Sequence, residues 1–210
     1  MRRMADDKAR EAFHEVRRSE ILDAATSVLV RKGAEATMQD FAAAVGLTAG
    51  ALYRYYASKE DLVDAILAEC ARRNAELFDE AEAHSASPLE GLIAAGASAW
   101  AGLREEDRRE RSALHLETAL AAYRREDNRA GTRMAGIWRD LIGRATGLVR
   151  QAQQRGELDT SIDAATLGLT LIAAHQGLVL LSVSLGQELD TDGVFDLLER
   201  MVRALAPEKG

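Results

Sequence analysis

Cysteine, proline and aromatic residues are scarce in this 210-residue chain, and each shortage narrows the possibilities. A single cysteine, Cys70, cannot close an intrachain disulfide or supply a paired-cysteine zinc site, which favours a reducing, cytoplasmic setting. The only prolines are Pro88 and Pro207, runs of β-branched residues are few, and Ala and Leu dominate. That composition predicts an all-α fold. The opening MRRMADDKAREAFHEVRR has the positive start of a secretory signal but no apolar core after it. Catalytic signatures are missing too. There is no His-Glu-x-x-His zinc pair, no Gly-x-Ser-x-Gly elbow and no Gly-x-x-x-x-Gly-Lys phosphate loop. His14, His84, His115 and His175 lie far apart in sequence. The expectation is a protein that is not an enzyme and holds no metal or cofactor.

Charge is missing from two particular stretches. Residues 41–59 contain no Asp or Glu, although acids outnumber bases and the net charge is -7. Residues 1–60 hold ten Lys and Arg against nine Asp and Glu, and the remainder holds seventeen against twenty-five. A near-neutral head on an acidic body suits a protein that offers one end to a polyanion. Residues 164–187 carry no charged side chain at all. Their length is near the ~20 residues that a membrane span requires. However, His175 and Gln176 sit at the centre, Thr166, Thr170, Ser182 and Ser184 punctuate the run, and no Lys or Arg flanks it. The reading is a helix buried on most of its faces by protein, not a membrane span.

The acid-poor stretch reads TMQDFAAAVGLTAGALYRYYASK, residues 37–59. Thr37 and Asp40 form a capping box, and Met38, Phe41, Ala42 and Val45 make one apolar stripe behind it. Gly46 stops this helix, Leu47 turns inward, and Thr48 caps a second short helix carrying Ala51, Leu52 and Tyr55 or Tyr56 on successive turns. Two helices joined by a short glycine-containing turn form a helix-turn-helix, whose second helix enters the major groove of DNA. Thr48, Ala49, Gly50, Tyr53 and Arg54 then form the outer face, with small residues for close approach and hydroxyls and a cation for phosphates.

The run GLTAGALYRYYASKEDLV, preceded by TMQDFAAAV and LVRKGAEA, resembles the DNA-binding domain of the TetR family of transcriptional repressors over about residues 17–68. The resemblance places phosphate contacts at Thr37, Thr48, Tyr53 and Lys59, and base-edge contacts at Gln39, Ala49, Gly50, Ala51 and Tyr55. Ala49 and Ala51 cannot hydrogen-bond a base, so Gln39, Tyr55 and thymine-methyl contacts carry direct readout.

Along the chain, residues 1–16 read as a frayed, mixed-charge arm and residues 17–60 as a three-helix head whose first helix spans 19–32. Residues 61–210 form the ligand-binding and dimerisation body. A fourth helix from Ser58 to about Ala83 leaves the head, and HSASP closes it. Further helices are expected at 88–103, 110–125, 128–155, 163–185 and 191–205, about nine in all. Trp100, His115, Tyr123, Trp138, His175 and Gln176 are the large or polar side chains on Ala- and Leu-rich helices, and are candidates to line a pocket for a small apolar or aromatic effector. The last two helices carry surplus apolar surface, including Leu167, Leu171, Leu178, Val194, Leu198 and Met201, which fits a homodimer joined as a four-helix bundle. The function these readings point to is a ligand-responsive homodimeric repressor of a near-palindromic operator. An activator, an effector-independent regulator and a helical protein-interaction module are the alternatives.

Overall fold

The computed structural model describes residues 2–101, 129–185 and 191–207, and among them every regular element is helical. In chain order these are α1 (Arg2–Lys32), a 3-10 turn (Gly33–Glu35), α2 (Met38–Ala44), α3 (Ala49–Leu52), α4 (Lys59–His84), α5 (Pro88–Ala101), α6 (Arg129–Gln154), α7 (Ala164–Leu185) and α8 (Thr191–Arg203). The helix expected at 110–125 lies outside the described residues, so eight of the nine expected helices are described. The first helix starts earlier than the expected 19–32, because the backbone is helical from Arg2. No Gly or Pro interrupts residues 1–32, and Arg3 with Asp7, like Asp6 with Arg10, stands at the spacing that supports a helix.

The core begins in the head. Ile21, Ala25 and Val28 of α1 meet Phe41 of α2, Leu52 of α3, and Leu62 and Ile66 of α4. The same buried cluster continues into Met134, Ile137 and Leu141 of α6, so head and body share apolar packing along α4. A second cluster fills the body, with Leu148, Val149 and Ala152 of α6 against Leu167 of α7 and Val202 of α8. At Gly168 the backbones of α6 and α7 come so close that an added Cβ would lie 2.6 Å from Thr146 Oγ1 and 2.9 Å from Thr146 N.

Polar clamps fix the helices relative to one another. Arg73 of α4 donates to Asp23 (2.8 Å) and Ser19 (3.3 Å) of α1, and also to Glu69 (2.7 Å). Arg203 of α8 grips Glu90 of α5 through two bonds of 2.6 and 3.0 Å. Glu69 also accepts from Arg72, and this bond, followed by the one from Arg73, holds its carboxyl down at about 2. A carboxylate whose folded-state pKa is depressed adds stability above its ordinary value, 4.5, and loses it as pH falls toward about 2. Glu69→Gln is therefore expected to lower Tm at neutral pH and to flatten the acid limb of the stability profile through that window. Thermal unfolding followed by circular dichroism across pH checks this, and parallel profiles for the two proteins would refute it.

Helix α7 departs from the sequence reading. The apolar stretch Ala164–Ser182 is long and apolar enough to cross a bilayer, yet 22% of it is buried in the protomer, not most of it. Leu167 and Leu171 point into the protomer, Leu167 into the body core and Leu171 into an interior cavity. These two are corrections to the expected dimer face. Because α7 is apolar on every side, no periodicity in its sequence says which side faces inward. Leu178, Val194 and Leu198 are half-buried and Met201 is exposed. The outward side chains are Leu169, Leu180, Leu181 and Leu185 of α7 and Leu197 of α8.

Candidate nucleic-acid interface and interior pocket

Local chemistry shapes the hairpin. Thr37 Oγ1 accepts from the backbone N–H of Asp40 while Asp40 Oδ2 accepts from the N–H of Thr37, which closes the capping box at the start of α2. Lys32 donates to the other Asp40 oxygen at 2.6 Å, and that bond leads in drawing the carboxyl down to about 2. The one acid of the hairpin is thus neutralised beside the interface. At the far end of α2, Gly46 takes φ 66°. Its N–H donates to Ala43 O and the N–H of Leu47 to Ala42 O, the paired bonds of a Schellman turn. Arg17 of α1 donates to Val45 O at 3.1 Å and ties this turn to the first helix.

Thr48 then caps α3, its Oγ1 accepting from the N–H of Ala51 at 3.1 Å. Regular α-helix ends at Leu52, earlier than expected, and the chain continues in tight turns through Tyr56, whose N–H donates to Leu52 O. The structure decides between the two tyrosines. Tyr56 is 7% exposed and anchors the turn in the head core, whereas Tyr53 and Tyr55 are 51% and 45% exposed.

Thr37, Gln39, Thr48, Gly50, Tyr53, Arg54 and Tyr55 are all exposed on this head. Ala49 and Ala51 are half-buried, and Ala49 packs on the head core. Lys59 Nζ donates to Ala34 O at 2.5 Å, which pins the 3-10 turn to the start of α4. Its ammonium still has two N–H groups for a phosphate.

Within the body lies a cavity of about 860 Å³ walled by α4, α5, α6, α7 and α8. Trp100, His175 and Gln176, three of the expected pocket residues, do line it. The Trp100 and His175 rings meet edge to face at 5.9 Å, and Phe195 lies 5.9 Å from Trp100 on the other side. Burial pushes the His175 imidazole down to about 4, so it is neutral at physiological pH. Trp138 is elsewhere, half-buried against the head cluster, and His115 and Tyr123 lie outside the described residues. Sequence reasoning missed Asn74 and Phe195 on the lining. Asn74 had a signal: it continues the Leu62, Ile66, Cys70 spacing of α4, so an amide sits on an otherwise apolar stripe.

Comparison with known proteins bears on both parts. The family model for bacterial regulatory proteins of the tetR family matches residues 21–66, which covers α2, α3 and most of their supports. The A-factor receptor protein of Streptomyces griseus is 28% identical over 172 residues, 77% of this chain and 53% of that one. The transcriptional repressor KstR2 of Rhodococcus jostii is 44% identical over 52 residues, 24% of this chain and 26% of its own. The matches therefore span about half, and about a quarter, of those relatives' length. A TetR-family regulator of known structure from a Rhodococcus species superposes with a TM-score of 0.75 at 21% identity, over 90% of this chain and 98% of that one. Residues 21–66 thus match the helix-turn-helix domain of the tetR family of bacterial regulatory proteins, and the described helices around and behind it share the fold of that solved regulator.

Proposed function

We propose that the protein is a homodimeric transcriptional repressor of the cytoplasm, that it binds a near-palindromic operator, and that a small molecule in the body cavity releases it. The observation that carries this reading is the exposed, acid-free face of Thr48, Gly50, Tyr53, Arg54 and Tyr55 on a doubly capped hairpin. Two such heads would occupy successive major grooves about 34 to 36 Å apart. Gln39 and Tyr55 read bases, and Thr37, Thr48, Tyr53, Arg54 and Lys59 hold phosphates.

Helix α4 connects the two sites. Asn74 faces the cavity, and its neighbour Arg73 bonds Asp23 and Ser19 of the head. A ligand that displaces this turn of α4 also displaces α1, changing the spacing of the heads. A complete switch needs about 5.5 kcal/mol of differential affinity between the two spacings.

Selection of bound duplexes from a random library, followed by mobility shift with competitor, tests the function and supplies the operator. On that operator, Arg54→Ala and Tyr53→Ala should weaken binding to all duplexes, and Arg54→Ala should reduce the salt slope by about 1. Gln39→Ala and Tyr55→Ala should instead relax base preference, each by about 1–3 kcal/mol. No enrichment of any duplex, or unchanged binding in all four variants, would overturn the reading.

A further inference from the structure

On the cavity lining, one polar atom of each of two side-chain amides has no hydrogen-bond partner within the protein. Nδ2 of Asn74 on α4 and Oε1 of Gln176 on α7 are both sealed from solvent and unbonded. An unmatched polar atom in such a place costs stability. A molecule that enters the cavity and bonds both amides offsets that cost, so the two groups specify what the occupant must carry. Asn74 Nδ2 is a donor and matches a carbonyl oxygen, and Gln176 Oε1 is an acceptor and matches a hydroxyl.

The charges around the cavity are already committed. Among the described lining residues Arg73 is the one Lys or Arg, and its guanidinium is taken up by Glu69, Asp23 and Ser19. Glu76 pairs with Arg72 and Glu199 with Arg203. Glu80 adds a further negative charge on the lining. Apart from His84, His175, Ser85 and Ser98, the remaining described wall is mainly apolar and aromatic, built on Trp100, Phe195, Leu171 and Ile172. An anion entering here meets no unpaired Lys or Arg among the described lining residues and would leave water without compensation from one.

We propose that the cavity binds an uncharged, largely apolar molecule carrying a carbonyl and a hydroxyl for the Asn74 and Gln176 amides, and that it discriminates against carboxylates. This deepens the effector reading above and rests on it. The acceptor and the donor fix the ligand's orientation between α4 and α7, while Trp100 and Phe195 supply the apolar contact.

The test uses three ten-carbon probes, 1-hydroxydecan-2-one, 2-decanone and decanoate, titrated at neutral pH into the full chain. Trp138→Phe serves as the background, because Trp138 lies off the cavity and its removal leaves Trp100 to report binding by fluorescence. The hydroxyketone should bind about 10-fold or more tighter than decanoate. Asn74→Leu and Gln176→Leu should each weaken the hydroxyketone by about 5- to 10-fold, with 2-decanone less affected by the second change. In the absence of any probe, the double variant should melt at a higher temperature than its parent, since it removes two unsatisfied buried groups at similar volume. Equal or tighter binding of decanoate, binding of none of the three, or a lower Tm for the double variant would overturn the proposal. A mobility shift on the selected operator runs in parallel. Operator binding with the wrong probe preference sinks only the ligand class, whereas correct probe preference without operator binding sinks the repressor reading.

Discussion

Glutamates placed together at Leu180 and Met201 are expected to yield folded monomers whose operator affinity is lower by about 10²–10⁴-fold, the loss that follows when two linked binding events become independent. The two positions lie on α7 and α8 at 50% and 56% exposure. With Leu169, Leu181, Leu185 and Leu197 they leave apolar side chains outside the protomer on both helices. Exposed apolar surface of this kind marks an interface. The hydroxyls along α7 are compatible with covering, because Thr170 Oγ1 donates to Thr166 O and Ser184 Oγ donates to Leu180 O within the helix. Burying such a face against a second copy exposes no unsatisfied side-chain hydroxyl there.

The charges act on association and not on folding, since neither side chain contributes to the protomer's buried clusters. Leu171→Glu is the informative contrast. Leu171 lines the cavity and packs on the body core, so a charge there should destabilise the protomer or block the pocket before it affects the interface. Sedimentation velocity and a mobility shift on one preparation read both effects. A double glutamate variant that sediments as a dimer would move the interface elsewhere.

Gly168→Ala is expected to cost about 1–3 kcal/mol, as overpacking does where the backbone must give way. For a chain of this size each kcal/mol lowers Tm by roughly 2–4 °C. The added methyl would fall 2.6 Å from Thr146 Oγ1, 2.9 Å from its N and 3.1 Å from its Cα. A hydroxyl can rotate, but the other two atoms belong to α6 and move only with that helix. Since α7 walls the cavity with His175 and Gln176, parting the two helices should also alter ligand affinity. Gly143→Ala on α6 is the control. Nothing lies within 4 Å of its Cβ position, so the intrinsic helix preference of Ala should leave stability unchanged or raised. Equal melting temperatures for Gly168→Ala and the parent would show that α6 and α7 approach less closely than the structure has them.

What could be read from residues alone was whatever depends on near neighbours in the chain. Thr37 with Asp40, Thr48 with Ala51, and Gly46 at φ 66° are satisfied within a few residues, and the caps, the turn and the exposed acid-free face follow from them. The start of α1 is less legible, because the mixed charge of residues 1–16 reads as an arm while nothing in residues 1–32 breaks a helix, and the helix begins at Arg2. Tertiary structure decided the questions for which local order has no answer. Helix α7 is apolar all round, so only packing against α6 turns Leu167 and Leu171 inward and leaves Leu169, Leu180 and Leu181 outside. In the same way, Asn74 and Gln176 lie about a hundred residues apart in sequence, and only the convergence of α4 and α7 puts two amides, each with one unmatched polar atom, on the lining of one cavity.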